Sequence, residues 1–146
     1  MTLILLIAAT VMIYFDLVRL YGKPYNMSGA PASYGVPVVT EPVDASAQLL
    51  RNTVEEVYTQ VLADLKAAAP LLGKKANNGF INYYANQAIL AKVYMYMDNF
   101  SEALTVAEGI IDSGVYTPYT AANWTASWAR TFGSESIFEL NVLVDE

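Results

Sequence analysis

YANQAILAKVYMYMDNFSEALTVAEGIID, residues 84–112, decides the fold, because it spells two helices and the turn between them in one run. The first helix is expected over 82–97, read from Tyr84 to Met97, and the second over 100–112, with Asp98-Asn99 as the turn. Asn99 has the short polar side chain that caps a helix start, and Glu102 stands at the supporting third position. Leu90, Ala91, Tyr94 and Ala103 fall at tetratricopeptide-like spacing. The logic is steric: small Ala91 and Ala103 let two antiparallel helices come close, and Leu90 and Tyr94 fill the space beside them. The match is partial, since Gln87 stands where the repeat favours Trp and Val115 where it favours Pro.

Towards the N-terminus a helix is expected over 54–69. Thr53 and Glu56 have capping-box spacing, and Val54, Val57, Tyr58, Val61, Leu62 and Leu65 recur every three or four positions as one buried stripe. Pro70 and Gly73 close it, and Lys74 to Gly79 is a polar turn. The stretch 23–50 reads as loop, with Pro24, Pro31, Pro37 and Pro42; within it Gly35 to Val39 has an extended pattern that Pro37 restricts to a sheet edge. A helix over 3–21 ends at Gly22 and Pro24, and Asp16 and Arg19 are spaced to pair on its surface. These two helices form a weaker copy of the later hairpin. Two hairpins are fewer than the three or more repeats that bury a continuous core, so residues 1–146 read as one partial domain needing more chain or another subunit. After Ser113-Gly114 the region 113–146 is aromatic and loop-like, with Ile137 to Val142 as a short strand. The fold class is all-α: tetratricopeptide-like antiparallel helical hairpins joined by long proline- and aromatic-rich loops.

Leu3 to Phe15 is apolar except for Thr10. The run lacks the cationic start and small-residue cleavage site of a signal peptide, and it is shorter than the roughly 20 residues of a membrane span. It reads as a buried helix hydrophobic all round. With so few partners it is expected to stay partly exposed and to drive self-association.

The chain has 146 residues, a net charge of −6, no His and no Cys. These absences exclude Cys and His nucleophiles, thiolate metal sites and disulfides, and leave the redox compartment open. No Lys/Arg cluster suggests nucleic acid. No metal site, cofactor motif, phosphate loop or nucleophile elbow is present. Eleven Tyr and two Trp are the informative feature, because flat rings with a polar edge suit sugars and protein partners. The loop aromatics Tyr25, Tyr34, Tyr116, Tyr119, Trp124 and Trp128 are the better ligand candidates, since loops carry function on rigid scaffolds. Trp124 and Trp128, four apart, share a face on a helical turn, with Asn123 and Arg130 nearby for hydroxyls. The bland alternative is that these Trp pack the loop onto the helices or onto further chain. Glu135 and Glu139 are an acid pair to weigh for glycoside hydrolysis, but a strand would place them on one face merely through its period, and Glu55-Glu56 begins a helix, where acids favour the dipole anyway. No catalytic residue is assigned. The Asn-x-Ser/Thr triplets at Asn26, Asn99 and Asn123 are short enough to arise by chance.

Four segments together resemble the SusD/RagB family of outer-membrane nutrient-binding proteins. They are Tyr14 to Tyr25 followed by Gly35 to Pro42; Thr53 to Tyr58 running on to Asp64-Leu65 and Pro70-Leu71-Leu72; Ala88 to Met97 with Ala103-Leu104 and Ile110-Ile111; and Ser134 to Leu140. The resemblance implies a helical-repeat scaffold that holds a glycan or peptide nutrient at the cell surface, as a lid on a SusC-type TonB-dependent transporter. It implies an outer-membrane location and a non-enzymatic role. Family members are several times longer and are anchored through a lipid-bearing Cys that this chain lacks, so a fragment of such a receptor is expected. The family shares no residue-level binding motif that would transfer a site. The competing reading is a helical-repeat scaffold for protein partners without sugar binding.

Overall fold

The capping box at Thr53 forms as its spacing predicts. Thr53 Oγ1 accepts from the Glu56 amide at 3.2 Å, and Glu56 Oε2 accepts from the Thr53 amide at 2.7 Å. The Thr53 amide, then the Asn52 and Thr53 side chains, hold the Glu56 carboxyl below its ordinary range. Replacing Thr53 by Ala is expected to lower stability by about 1 kcal/mol in urea melts, and an unchanged midpoint would show the cap to be dispensable.

The computed structural model describes residues 2–44, 46–76 and 79–139, and for 2–10 the backbone alone. Helix α1 spans Thr2–Tyr21, α2 Val54–Ala68, α3 Tyr83–Tyr96 and α4 Phe100–Asp112. A 3₁₀ turn, Ala69–Leu71, follows α2, and one short helix, α5 Trp124–Ser127, interrupts the aromatic loop. No strand occurs among the described residues, only an isolated bridge between Tyr34 and Thr53. That bridge is the remnant of the expected edge strand: Gly35 N donates to Asn52 O and Asn52 N to Val36 O, and Pro37 then removes the next donor. The strand expected at Ile137 is likewise absent through Glu139, and its continuation to Val142 lies outside the described residues.

The helices pack in chain order, α1 on α2, α2 on α3 and α3 on α4. Val57, Tyr58, Val61 and Leu65 of α2 meet Val11, Phe15 and Val18 on one side and Leu90, Val93 and Tyr94 on the other in a single core. α3 and α4 are joined by Met97 to Asn99 alone. Asp98 takes a left-handed φ of 57°, which a short polar side chain tolerates, and Asn99 Oδ1 accepts from the Glu102 amide at 3.4 Å. Ala103 is buried there, as the repeat spacing requires.

α1 corrects one expectation. From residue 11 on it buries Val11, Phe15 and Val18 but leaves the apolar Met12, Ile13 and Leu20 exposed, so it is not enclosed on all sides but stays partly exposed, as its shortage of partners predicts. The reason is that α2 covers only one face. Among the described residues no helix is long and apolar enough to cross a membrane.

The long connection between α1 and α2 is held by side chains. Arg51 Nε donates to Gly35 O (2.5 Å), and its Nη2 to Tyr21 O (3.0 Å) and Tyr34 O (3.2 Å). The Tyr14 hydroxyl donates to Val39 O and accepts from Val39 N.

Candidate functional site

Beyond α4 the chain folds back on itself. Gly114 takes a left-handed φ of 64° and ends the helix. Thr117 N donates to Ser134 O at 2.8 Å and Ser134 Oγ to Thr117 O at 3.0 Å, which ties the two arms of the loop together. Between them Asn123 Oδ1 accepts from the Thr120 amide at 2.7 Å, making the turn that starts α5.

α5 presents two rings at a right angle. Trp124 and Trp128 have centroids 5.9 Å apart and planes at 89°, and Tyr119 meets Trp124 at 6.3 Å. Neither Trp is packed away: Trp124 is 52 % exposed and Trp128 79 %. A cleft of about 450 Å³ opens beside them, lined by Tyr119, the two Trp, Arg130, Glu135 and Glu139, with Ser127 and Ser136. Tyr119 sits against Gly133 so closely that any Cβ there would displace its hydroxyl.

Both carboxylates serve as hydrogen-bond acceptors. Glu135 Oε2 accepts from the Tyr119 amide at 3.2 Å and Glu139 Oε2 from the Phe132 amide at 2.9 Å. The Ser136 side chain, then the amides of Phe132 and Gly133, hold the Glu139 carboxyl below its usual range. That is the opposite of the raised pKa that a glycosidase acid needs. Among the described residues no His, Cys, Asp or Glu cluster suits a metal ion.

The sequence candidates therefore divide. Trp124, Trp128, Tyr119 and Arg130 come together, while Asn123 shapes the turn beneath them. Tyr116 turns inward instead, its ring 5.6 Å from Tyr84 and its hydroxyl accepting from Asn82 Nδ2 at 2.8 Å. Tyr25 packs on Tyr58 at 4.9 Å, with burial and then Glu55 pushing its phenol pKa up. Tyr34 is exposed at the bridge to Thr53, and neither it nor Tyr25 lines the cleft.

A second cavity, of about 410 Å³, was not foreseen; Asp16, Arg19, Leu20, Pro24, Tyr58 and Tyr96 line it. The Asp16–Arg19 pair forms at 3.1 Å, but the guanidinium also lies 4.3 Å over the Tyr96 ring and donates to the Tyr96 hydroxyl at 2.8 Å. Arg19 is thereby engaged in fastening α1 to α3. Burial pushes the Tyr58 phenol beside it up to about 12.

Comparison with known proteins gives a consistent set of likenesses. Residues 6–95, more than half of the chain, match a SusD-like family described as starch-binding and associating with the outer membrane. A SusD superfamily protein from Bacteroides thetaiotaomicron is 36 % identical with a TM-score of 0.86, over 93 % of this chain and 30 % of its own. Another from Bacteroides vulgatus is 34 % identical, also with a TM-score of 0.86, over 95 % of this chain and 32 % of its own. A protein described as a laminarin-binding SusD-like protein is 26 % identical with a TM-score of 0.69, over 88 % of this chain and 28 % of its own. The chain thus spans about a third of the length of these solved structures. No curated protein matches it significantly.

Proposed function

This chain belongs to the SusD-like family, and from that premise we propose that it is part of a cell-surface glycan receptor that hands its ligand to a SusC-type TonB-dependent outer-membrane transporter. The observation that carries the glycan reading is the right-angled pair Trp124 and Trp128, both open to solvent above a cleft with polar walls. Exposed large aromatics are unusual unless something binds them. A pyranose ring offers an apolar face of C–H groups to one indole while its edge meets the other. Arg130 supplies donors and Glu135 and Glu139 acceptors for the hydroxyls. The family's starch-binding description and the laminarin-binding neighbour support a sugar over a peptide ligand. The role is binding, with no bond broken: Glu139 is held as an acceptor rather than an acid.

Titration with maltooligosaccharides and with laminarin oligosaccharides, followed by Trp fluorescence and calorimetry, tests this. Trp128→Ala is expected to weaken binding about ten-fold, the loss of one stacking face, and the double Trp124→Ala/Trp128→Ala change to abolish it. Sugar binding indifferent to both changes would move the site elsewhere, and no binding of either sugar series would sink the glycan reading. Transfer to a transporter is tested separately, by co-purification from outer membranes.

A further inference from the structure

The loop from 113 to 139 carries its charge in one place. Its charged side chains are Arg130, Glu135 and Glu139, and all of them line the cleft beside Trp124 and Trp128. Two acids against one base leave that space negative, on a chain whose net charge is −6. Among the described residues Arg130 forms no ion pair with either acid, so neither carboxylate is neutralised by contact. Glu135 and Glu139 each commit Oε2 to a backbone amide, of Tyr119 and of Phe132, which fixes where the two carboxylates stand. The Ser136 side chain, then the amides of Phe132 and Gly133, keep Glu139 in its charged form. The same cleft has two indole walls, and an indole face attracts cations.

We propose that the cleft selects sugars by charge: a hexosamine with a free ammonium binds better than the neutral hexose, and a uronic acid binds worse. The inference rests on the glycan reading and names the class of sugar that the site takes. An ionised carboxylate only accepts hydrogen bonds and an ammonium only donates them. Exchanging a ring hydroxyl for an ammonium therefore turns neutral hydrogen bonds to Glu135 or Glu139 into charge-assisted ones. The same ammonium gains from the indole faces, which a hydroxyl does not. A uronic acid instead brings a third carboxylate into a space that already holds two. Arg130 is the one group there that attracts it, and it is outnumbered.

The test titrates the isotope-labelled chain with the methyl glycosides of glucose, glucosamine and glucuronic acid at about pH 6, between the ordinary ranges of a carboxylate and an amine. Monosaccharides remove linkage as a variable. The indole N–H signals of Trp124 and Trp128, the two Trp of the chain, report binding at this cleft in NMR spectra. At low salt the glucosaminide is expected to bind about five-fold more tightly than the glucoside and the glucuronide about three-fold more weakly, with both gaps closing towards about 0.5 M salt. Glu135→Gln/Glu139→Gln is expected to erase the amine preference and, with Arg130 left as the lone charge, to put the glucuronide first. Arg130→Gln is expected to widen the amine preference instead, and its exposed position spares the fold. Equal affinities for the three sugars, or a wild-type preference for the glucuronide, would overturn this inference and leave the glycan reading standing. Indole signals indifferent to all three would sink both.

Discussion

Phe15→Ala is expected to lower the unfolding free energy by about 3–5 kcal/mol, a large share of the roughly 5–15 kcal/mol available to a domain. Phe15 is buried, and its ring stands edge-on to Tyr58 at 6.0 Å and to Tyr96 at 5.4 Å. The Arg19 guanidinium covers it at 5.1 Å. One ring therefore joins α1 to both α2 and α3. Truncation removes its transfer energy and leaves a void, because three surrounding groups are pinned by other contacts and cannot collapse inward. Phe15→Leu keeps most of the volume and is expected to cost less than about 1.5 kcal/mol. Urea melts of both variants separate cavity formation from loss of the aromatic contacts. An Ala variant within about 1 kcal/mol of wild type would mean that the hairpin of α1 and α2 does not rest on this ring.

Asn86→Asp should be as damaging at neutral pH and nearly harmless in acid. Asn86 is fully buried on α3, where Nδ2 donates to Leu65 O at 3.0 Å across the α2–α3 contact and Oδ1 has no partner among the described residues. An ionised carboxylate there would set oxygen against oxygen with no compensating charge. Its protonated form donates to the same carbonyl, so burial raises the folded pKa, by about three units if the shift is typical of a fully buried acid. The sign follows. Below the unfolded value, near 4, both states are protonated and the substitution is mild. As pH rises, the unfolded state releases its proton first, and stability falls by about 1.4 kcal/mol per unit until the folded pKa is reached. The variant should therefore be about 4 kcal/mol less stable at pH 7 than at pH 4, after the wild-type pH dependence is subtracted. A pH-independent difference would show that water reaches the site.

What was legible in the sequence was local. Thr53 with Glu56, Gly22 with Pro24, and the Leu90–Ala91–Tyr94–Ala103 spacing involve neighbours within a few turns, and they placed the four main helices within a residue or two. What was illegible was distant. Arg19 reads as half of a surface ion pair, yet it lies against Tyr96, 77 positions away. Arg51 reads as nothing in particular, yet it gathers the carbonyls of Tyr34 and Gly35 in the loop and of Tyr21 at the end of α1. The candidate site shows the same division. The four-residue spacing of Trp124 and Trp128 announces a shared face, whereas Glu135 and Glu139 join them only because Thr117 and Ser134 clasp the returning loop. Tyr116 and Tyr119, three apart in one loop, go to opposite fates, and no periodicity separates them. The bridge at Tyr34 is set by Asn52, and a single strand pattern gives no hint of where its partner lies.

The unequal connections between the helices have a consequence for assembly. α3 meets α4 across three residues, whereas α1 reaches α2 only after the chain from Gly22 to Thr53 has been drawn together. Loop-closure entropy makes the longer encounter dearer by about 2 kcal/mol before any contact is rewarded. Arg51 and the Tyr14 hydroxyl can contribute only once that loop is closed, so their bonds recover the penalty late and none of them guides the search. The later hairpin is thus the natural nucleus, and the earlier one condenses upon it.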